Sequence, residues 1–334
     1  MNNVEAGTLR VGSEFAINSD YGGFETVVSD LGTLYDTKDP DSRILALRGF
    51  FKPLSLVDPQ GLLNIFSIGV SVVSDTNAPR TLAQPLDVAQ DRPVVAQTAA
   101  QTVYGIDADV QVLRSALLDI TPYTDLNRID GAGWGWHAGV LLTAKMPIGI
   151  DLTVPVRLEY RRFRSNYIPE YFSIFYEIER YTAQPGTSAG AGSQPKAAYV
   201  RGLSGSEGIN GYYGELAFDF AGLFQVGAVY EDYVSDIQAS GPNLQAFVSV
   251  PALEAFKFKA FYARIHIQGT NDILKFDNRS MAAVEARYEM VSYVYLVGRL
   301  TRSWELVTDK NAADFGQFKG TNDWQFGIET NFTF

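Results

Sequence analysis

The chain has 334 residues, 46% of them hydrophobic and 19% charged, with a formal net charge of -11. That balance excludes a disordered chain, and the acidic surplus excludes nucleic acid as a partner, because neutralising phosphates needs clustered Lys and Arg. With no cysteine and two histidines, disulfides, cysteine metal sites and most histidine metal centres are excluded, and no cofactor or metal is expected.

Twenty-one Phe, 18 Tyr and 30 Gly suit many strands and suit long helices poorly. The most apolar segment, Leu62 to Val73, is broken by Asn64, Ser67, Gly69 and Ser71, so no stretch approaches the roughly 18 residues of a spanning helix. The start, Met-Asn-Asn-Val-Glu-Ala-Gly, has neither a basic nor an apolar leader region and is read as the start of a mature segment.

Alternating segments recur along the chain and predict an all-β, single-domain protein of about fourteen strands. They run near 7–17, 43–54, 62–75, 102–113, 115–125, 133–145, 150–164, 209–221, 223–235, 243–250, 255–267, 279–290, 292–304 and 322–334. Their connections alternate between short and long, as in a closed antiparallel transmembrane barrel with its turns at one rim and its loops at the other. Tight links fall at 55–61, 114, 146–149, 222, 251–254 and 291. Long loops fall at 18–42, 76–101, 165–208, 268–278 and 305–321, while 126–132 and 236–242 are short although they lie on the long side by parity. An even strand count puts both termini at the short-turn, periplasmic rim. No repeat of fixed length is present, which disfavours propellers and solenoids.

One face of each strand collects the charges. Asp107, Asp109, Arg157, Glu159, Arg161, Glu215, Asp219, Glu231, Glu285 and Arg287 are the candidate pore-lining residues, since a charge facing lipid at mid-bilayer costs a few kcal/mol. Further inward charges are Arg48 and Arg299, with either Lys257 and Lys259 or, after a bulge, Arg264 and His266. Pairs such as Arg157 with Glu159 either line a pore or brace the wall across strands. The opposite face gathers aromatics: Trp134, Trp136, Tyr212, Tyr230, Trp304 and Trp324 toward one rim, and Phe220, Phe224, Phe256 and Phe258 toward the other.

Residues 165–208 form the longest connection. Its first half is aromatic and either folds inward as a constriction, with Tyr171, Tyr176, Glu177 and Arg180 setting its size, or extends the preceding strand as a tall hairpin. The second half is rich in Gly, Ser and Ala and reads as a surface segment.

From Asp323 onward the chain alternates strictly: Trp324, Phe326, Ile328, Thr330, Phe332 and Phe334 point one way, and polar residues with Gly327 the other. Ending on an aromatic, this segment resembles the last strand of the bacterial outer-membrane β-barrel (porin-like) superfamily, in which the terminal Phe is an insertion signal. The resemblance covers Gln325 to Phe334 and implies that Phe332 and Phe334 carry that signal. It also implies a location in the outer membrane of a Gram-negative bacterium, with outer-membrane lipids, lipopolysaccharide and the barrel-assembly machinery as partners. A homo-oligomer or a lipoprotein partner stays open. Arg43 to Leu54 and the Ile-Pro-Glu-Tyr-Phe stretch resemble porins of the phosphate-selective type, but no inward ladder of basic residues accompanies them, so anion selectivity does not follow.

The expected function is passive diffusion of small hydrophilic solutes, with a mild preference for cations or neutral solutes because acids outnumber bases on the inward positions. The alternative is a plugged barrel that anchors a lipoprotein or a surface or periplasmic complex. An enzyme is not expected. The barrel chemistries considered need a histidine base, and neither His137 nor His266 is followed two residues on by Ser, while His266 with Asp272 is a lone pair.

Overall fold

The computed structural model describes residues 13–29, 42–58, 65–84, 94–147, 149, 151–173, 176, 180–181, 194–205, 207–234, 242–253, 255–277, 279–292, 294–306, 313 and 318–330. They form an antiparallel meander in which each strand pairs with the next in sequence. The strands are β1 (Ser13–Ser19), β2 (Gly22–Val28), β3 (Ile44–Phe51), β4 (Phe66–Gln84), β5 (Val94–Val110), β6 (Leu113–Arg114), β7 (Leu118–Ile129), β8 (Trp134–Pro147), β9 (Asp151–Arg164), β10 (Gly208–Phe220), β11 (Phe224–Val234), β12 (Asn243–Leu253), β13 (Phe256–Arg264), β14 (Ser280–Val291), β15 (Val294–Leu306) and β16 (Phe318–Thr330). The two-residue β6 pairs only with β7 and continues the edge that β5 begins. A short helix, α1 (Lys196–Gly202), precedes β10.

The sheet has sixteen strands where about fourteen were expected. Beyond the short β6, the difference lies in β2, which occupies part of the segment read as the 18–42 loop. Asp20 and Tyr21 turn the chain, and Ser19 pairs with Gly22. Two glycines and a seven-residue length hide β2 from a periodicity reading. The expected 76–101 loop is also mostly strand, since β4 and β5 continue pairing through Gln84 and Val94 across several bulges. Bulges break the strict alternation by which a strand is recognised.

Inserting β2 reverses the direction of the first strand. With β6 set aside, every step along the path is antiparallel, so β1 and β16 run the same way and not oppositely as an even count required. Among the described residues β1 and β16 do not pair with each other; they are the two edges of the sheet, and the expected closure is not among the described pairings. From β8 onward the alternation of short and long connections holds, whereas the link between β3 and β4 is longer than that between β4 and β5, and β7 joins β8 through four residues only. In the three-residue turn between β10 and β11, Ala221 and Gly222 both adopt positive φ, 54° and 68°, as a hairpin matched to strand twist requires.

The two faces of the sheet differ sharply. On the apolar face large side chains stand exposed: Leu158, Leu216, Val226 and Tyr230 in mid-sheet, and Trp324, Phe326 and Ile328 on β16 at 63–72% exposure. No ordinary surface in water leaves so large a continuous apolar band uncovered. Aromatic pairs mark both its edges, with Trp136 against Tyr160 and Tyr160 against Tyr212 at one end, and Phe220 stacked on Phe224 at 4.4 Å at the other. Among the described residues no helix is long and apolar enough to cross a membrane.

Candidate functional site: the ionic face and its covering loop

Strand register places the charges. Asp107, Asp125, His137, Arg161, Gly211 and Tyr233 are successive partners across β5, β7, β8, β9, β10 and β11. The adjoining row on the same face runs Asp109, Tyr123, Gly139, Glu159, Tyr213, Glu231 and Asn243. Arg157 pairs with Glu215 one row further on. Toward the other rim Asp219, Gln225, Ser249, Lys259, Glu285 and Arg299 form another row, and Lys257 faces Arg287. All ten charges singled out from the sequence therefore lie on one face. Lys257 and Lys259 share it, whereas Arg264 falls on the opposite one.

The charges are linked. The Arg161 guanidinium donates to Glu159 and Glu231, and reaches the Tyr233 hydroxyl at 3.2 Å and Glu170 at 3.3 Å. Arg157 donates to Glu159 at 2.7 Å and to the Tyr123 hydroxyl at 2.6 Å, while Tyr123 donates to Glu159. Asn243 donates to Glu231 at 3.0 Å, and the Arg157 and Arg161 guanidinia both stack over the Tyr213 ring. His137 sits with Nδ1 3.0 Å from Asp125, buried in the wall. Elsewhere on the face Arg48 clamps Asp107 with two bonds of 3.0 and 2.8 Å, and Glu285 accepts from Arg287 and Arg299. Glycines in the wall make room for the rings. A Cβ at Gly139 would lie 2.6 Å from the Tyr123 hydroxyl, and one at Gly211 2.5 Å from the Tyr233 ring.

Exposure varies along the face. The Arg161 side chain is 3% exposed and that of Glu159 fully buried, whereas Arg157 keeps 35% and Arg299 49%. The burial at Arg161 comes from the segment after β9. Tyr167, Tyr171, Tyr176 and Val200 pack with Ile129, Phe163 and Ile209 into one apolar cluster, whose margin reaches Ile44 on β3 and Tyr233 on β11. Ile129 pairs with Val103 and Phe163 with Ile209 on the ionic side, so the segment covers that face at the long-connection rim.

Asp75 anchors the segment from β4, several strands from where it leaves the sheet. Its carboxylate is fully buried, accepts from the Tyr176 hydroxyl at 2.8 Å and pairs with Arg180 at 3.3 Å. The same carboxylate takes the backbone amides of Arg43 and Asn77. Arg180 also donates to the Asn77 carbonyl at 2.8 Å. Helix α1 is fastened by Arg201, which meets Asp130 at 3.1 Å and Gln101 at 3.2 Å, and the Lys196 ammonium lies over the Tyr171 and Tyr176 rings. Of the four constriction candidates, Tyr171, Tyr176 and Arg180 are buried in this arrangement, and Glu177 lies outside the described residues, as do Phe332 and Phe334. The tall-hairpin alternative is not what forms, because β9 ends at Arg164 and the chain turns onto the sheet.

Asp75, Asp125, Tyr123, Tyr213 and Tyr233 were not singled out from the sequence. Tyr213 and Tyr233 share parity with Glu215 and Glu231 on their own strands, so period-two counting from those acids finds them. Asp75 had no such signal, because its partners are about a hundred residues away.

A second ionic cluster fastens the link between β13 and β14. Arg264 is fully buried and bonds Asp272 at 2.8 Å and Asp277 at 3.0 Å, while Arg279 and Lys275 meet Asp272 at 3.1 and 3.2 Å. Burial opposes ionisation of Asp272, but the Gln268 amide, Arg264 and Lys275 outweigh it and hold the carboxyl well below the usual carboxylate range. Asp277 is lowered in the same way, against burial, by Arg264 and the Arg279 amide. A depressed carboxyl stabilises above the ordinary value of 3.8 and loses that contribution as pH falls through its folded-state value. The link between β13 and β14 is therefore expected to stay protected from amide exchange at pH 7 and to lose protection below about pH 3.8, before the sheet does, in hydrogen-exchange mass spectrometry.

The described residues thus form an antiparallel meander with one ionic face, one exposed apolar face and a segment folded over the ionic side. The solved structures to which the chain is similar include porins and a siderophore receptor. A mutant of the Rh. blastica porin matches at 9% identity and a TM-score of 0.38, covering 96% of this chain and 91% of that one. Pseudomonas aeruginosa OccK11 matches at 11% identity and a TM-score of 0.42, covering 93% and 80%. The siderophore receptor PiuA from Acinetobacter baumannii matches at 9% and 0.38, covering 96% and 61%. No protein-family model matches the chain, and no curated protein matches it.

Proposed function

We propose that the chain is a bacterial outer-membrane channel for passive diffusion of small hydrophilic solutes, narrowed at its long-connection rim by residues 165–207. The observation that carries this reading is the contrast between the faces: ionic side chains share one side, some still half exposed, while large apolar side chains cover the other. Hydrocarbon on the apolar side and water on the ionic side is the environment that makes both stable. In this reading the ten charges line the aqueous path, and Tyr171, Tyr176 and Arg180 belong to the constriction. The ion pairing shows how the wall is braced without removing its use as a lining. The surplus of acids supports a mild preference for cations or neutral solutes.

The buried cluster around Arg161 and Tyr171 favours a second reading, a barrel plugged at that rim and serving as an anchor for a lipoprotein or a surface complex. One measurement separates them. The purified full chain, inserted in a planar bilayer under a salt gradient, is expected to give stable ohmic steps and a reversal potential of the sign for cation preference. A heat-modifiable, folded protein that conducts no current would replace the channel by the plugged barrel.

A further inference from the structure

The apolar face carries one ionic feature that the channel reading leaves unused. At the long-connection rim, on the side opposite Arg161, Arg128, Arg162 and Arg164 stand among the aromatic residues. Arg128 is the strand partner of Trp134, and Arg162 is the partner of both Trp136 and Asn210. All three lie at even-numbered positions of β7 and β9, where Arg128 and Arg162 are exposed and Arg164 half-buried. Arg164 lies with its guanidinium 5.7 Å from the Trp134 ring and donates to the Gly205 carbonyl.

Arg128 and Arg162 have no hydrogen-bond or ion-pair partner among the described residues, in contrast to the paired arginines of the ionic face. The neighbouring carboxylates are engaged: Asp130 pairs with Arg201 at 3.1 Å, and Asp232 accepts from Tyr230 at 3.4 Å. Between Arg162, Arg164 and the tryptophans lies a recess of about 530 Å³ lined by Leu126, Trp134, Trp136, Arg162, Phe163, Arg164 and Gly208; Arg128 does not line it but flanks it as the strand partner of Trp134. Gly208 leaves the Arg162 guanidinium open, since even an added Cβ there would come no nearer than 3.9 Å. Arginines and apolar side chains stand side by side in it, Arg162 in one register row with Leu126 and Trp136, and Arg128 with Trp134 in the next row toward the rim.

We propose that this recess binds the phosphate-bearing headgroup of an anionic lipid in the surrounding leaflet, with Arg162 on the phosphate, Arg128 reaching it from the margin beside Trp134, and Leu126, Trp134 and Trp136 against its acyl chains. The inference rests on the membrane reading above. Planar guanidinia suit a phosphate's paired oxygens, and indole rings suit the interface where headgroup meets chain. A soluble anion would use the arginines and leave the apolar side chains of the recess without a partner, which is why the occupant is a lipid.

The test uses the full chain folded in neutral detergent with equal amounts of phosphatidylglycerol and phosphatidylcholine, read by native mass spectrometry. The parent is expected to retain phosphatidylglycerol over phosphatidylcholine on the order of tenfold, as two interfacial arginines supply. The Arg128→Gln/Arg162→Gln variant should fall to near parity while keeping its heat-modifiable gel mobility, and Arg128→Lys/Arg162→Lys should keep part of the preference. Equal retention of both lipids by the parent, or a preference unchanged in the glutamine variant, would overturn the proposal and leave the membrane reading standing. Displacement of the lipid by millimolar inorganic phosphate would overturn the lipid assignment. Failure of the parent itself to show heat-modifiable mobility would sink the membrane reading, and the lipid site with it.

Discussion

Arg161→Ala is expected to destabilise the folded sheet by about 3–5 kcal/mol, the scale seen when one partner of a buried ion pair is removed. Three carboxylates depend on this one guanidinium. Glu159 has a fully buried side chain and Glu231 a 9% exposed one, and Glu170 reaches in from the covering segment. Arg157 and Asn243 would still serve Glu159 and Glu231, but they cannot neutralise two buried charges that share one row, on either side of Tyr213. The loss should appear as a lower urea midpoint for the gel-mobility transition of the protein refolded in lipid. Arg161→Lys restores the charge without the planar fork, so it should recover less than half of the deficit. Glu285→Gln makes a useful contrast, because its partners Arg287 and Arg299 keep 27% and 49% exposure and lose little when left to water. That variant should cost about 1 kcal/mol or less. Equal effects at the two sites would show that burial by the covering segment does not set the strength of the Arg161 network.

How much of this was legible in the sequence follows from the range over which each signal acts. Facing is a two-residue property, so the charges of β9, β10, β11 and β14 could be assigned to one side from alternation alone, and their register across strands agrees. Length and bulging act over a whole strand, and there the reading failed. β2 was absorbed into a loop because its Gly-Gly start mimics a turn, and the bulged upper parts of β4 and β5 lost the alternation that marks a strand. That single missed strand also reversed the inferred direction of β1, since strand parity passes any miscount to the end of the chain. Long-range contacts left no trace at all. The aromatic character of 167–176 raised the idea of an inward fold, but the same residues suited a tall hairpin equally well. What decides between them is Asp75, a lone acid on β4 that meets Tyr176 and Arg180 only in three dimensions.

Asp75→Ala is therefore the substitution expected to act most on conduction. The carboxylate joins two parts of the chain. Its Oδ1 takes the amides of Arg43 and Asn77 within the sheet, and its Oδ2 holds Tyr176 and Arg180 of the covering segment. Removing it takes away the carboxylate that holds the Arg180 guanidinium, a side chain with 1% exposure. The bond from Arg180 to the Asn77 carbonyl does not replace a charge. Docking of the segment should weaken by about 3–5 kcal/mol, while the strand pairing of β4 with β3 and β5 remains. In a planar bilayer the variant is expected to conduct more than the parent and to flicker between the parent level and a higher one as the segment undocks. Asp75→Asn keeps hydrogen-bond acceptance for Tyr176 without the charge for Arg180, and should fall between the two. Tyr176→Phe removes only the hydroxyl, at about 1 kcal/mol, and should leave the parent conductance nearly intact. Trypsin gives an independent readout, because cleavage after Arg180 in the folded protein should become fast in Asp75→Ala and stay slow in Tyr176→Phe. Faster cleavage with unchanged conductance would mean that the segment covers the ionic face without narrowing a path along it, and the plugged or anchoring reading would then have to explain the face.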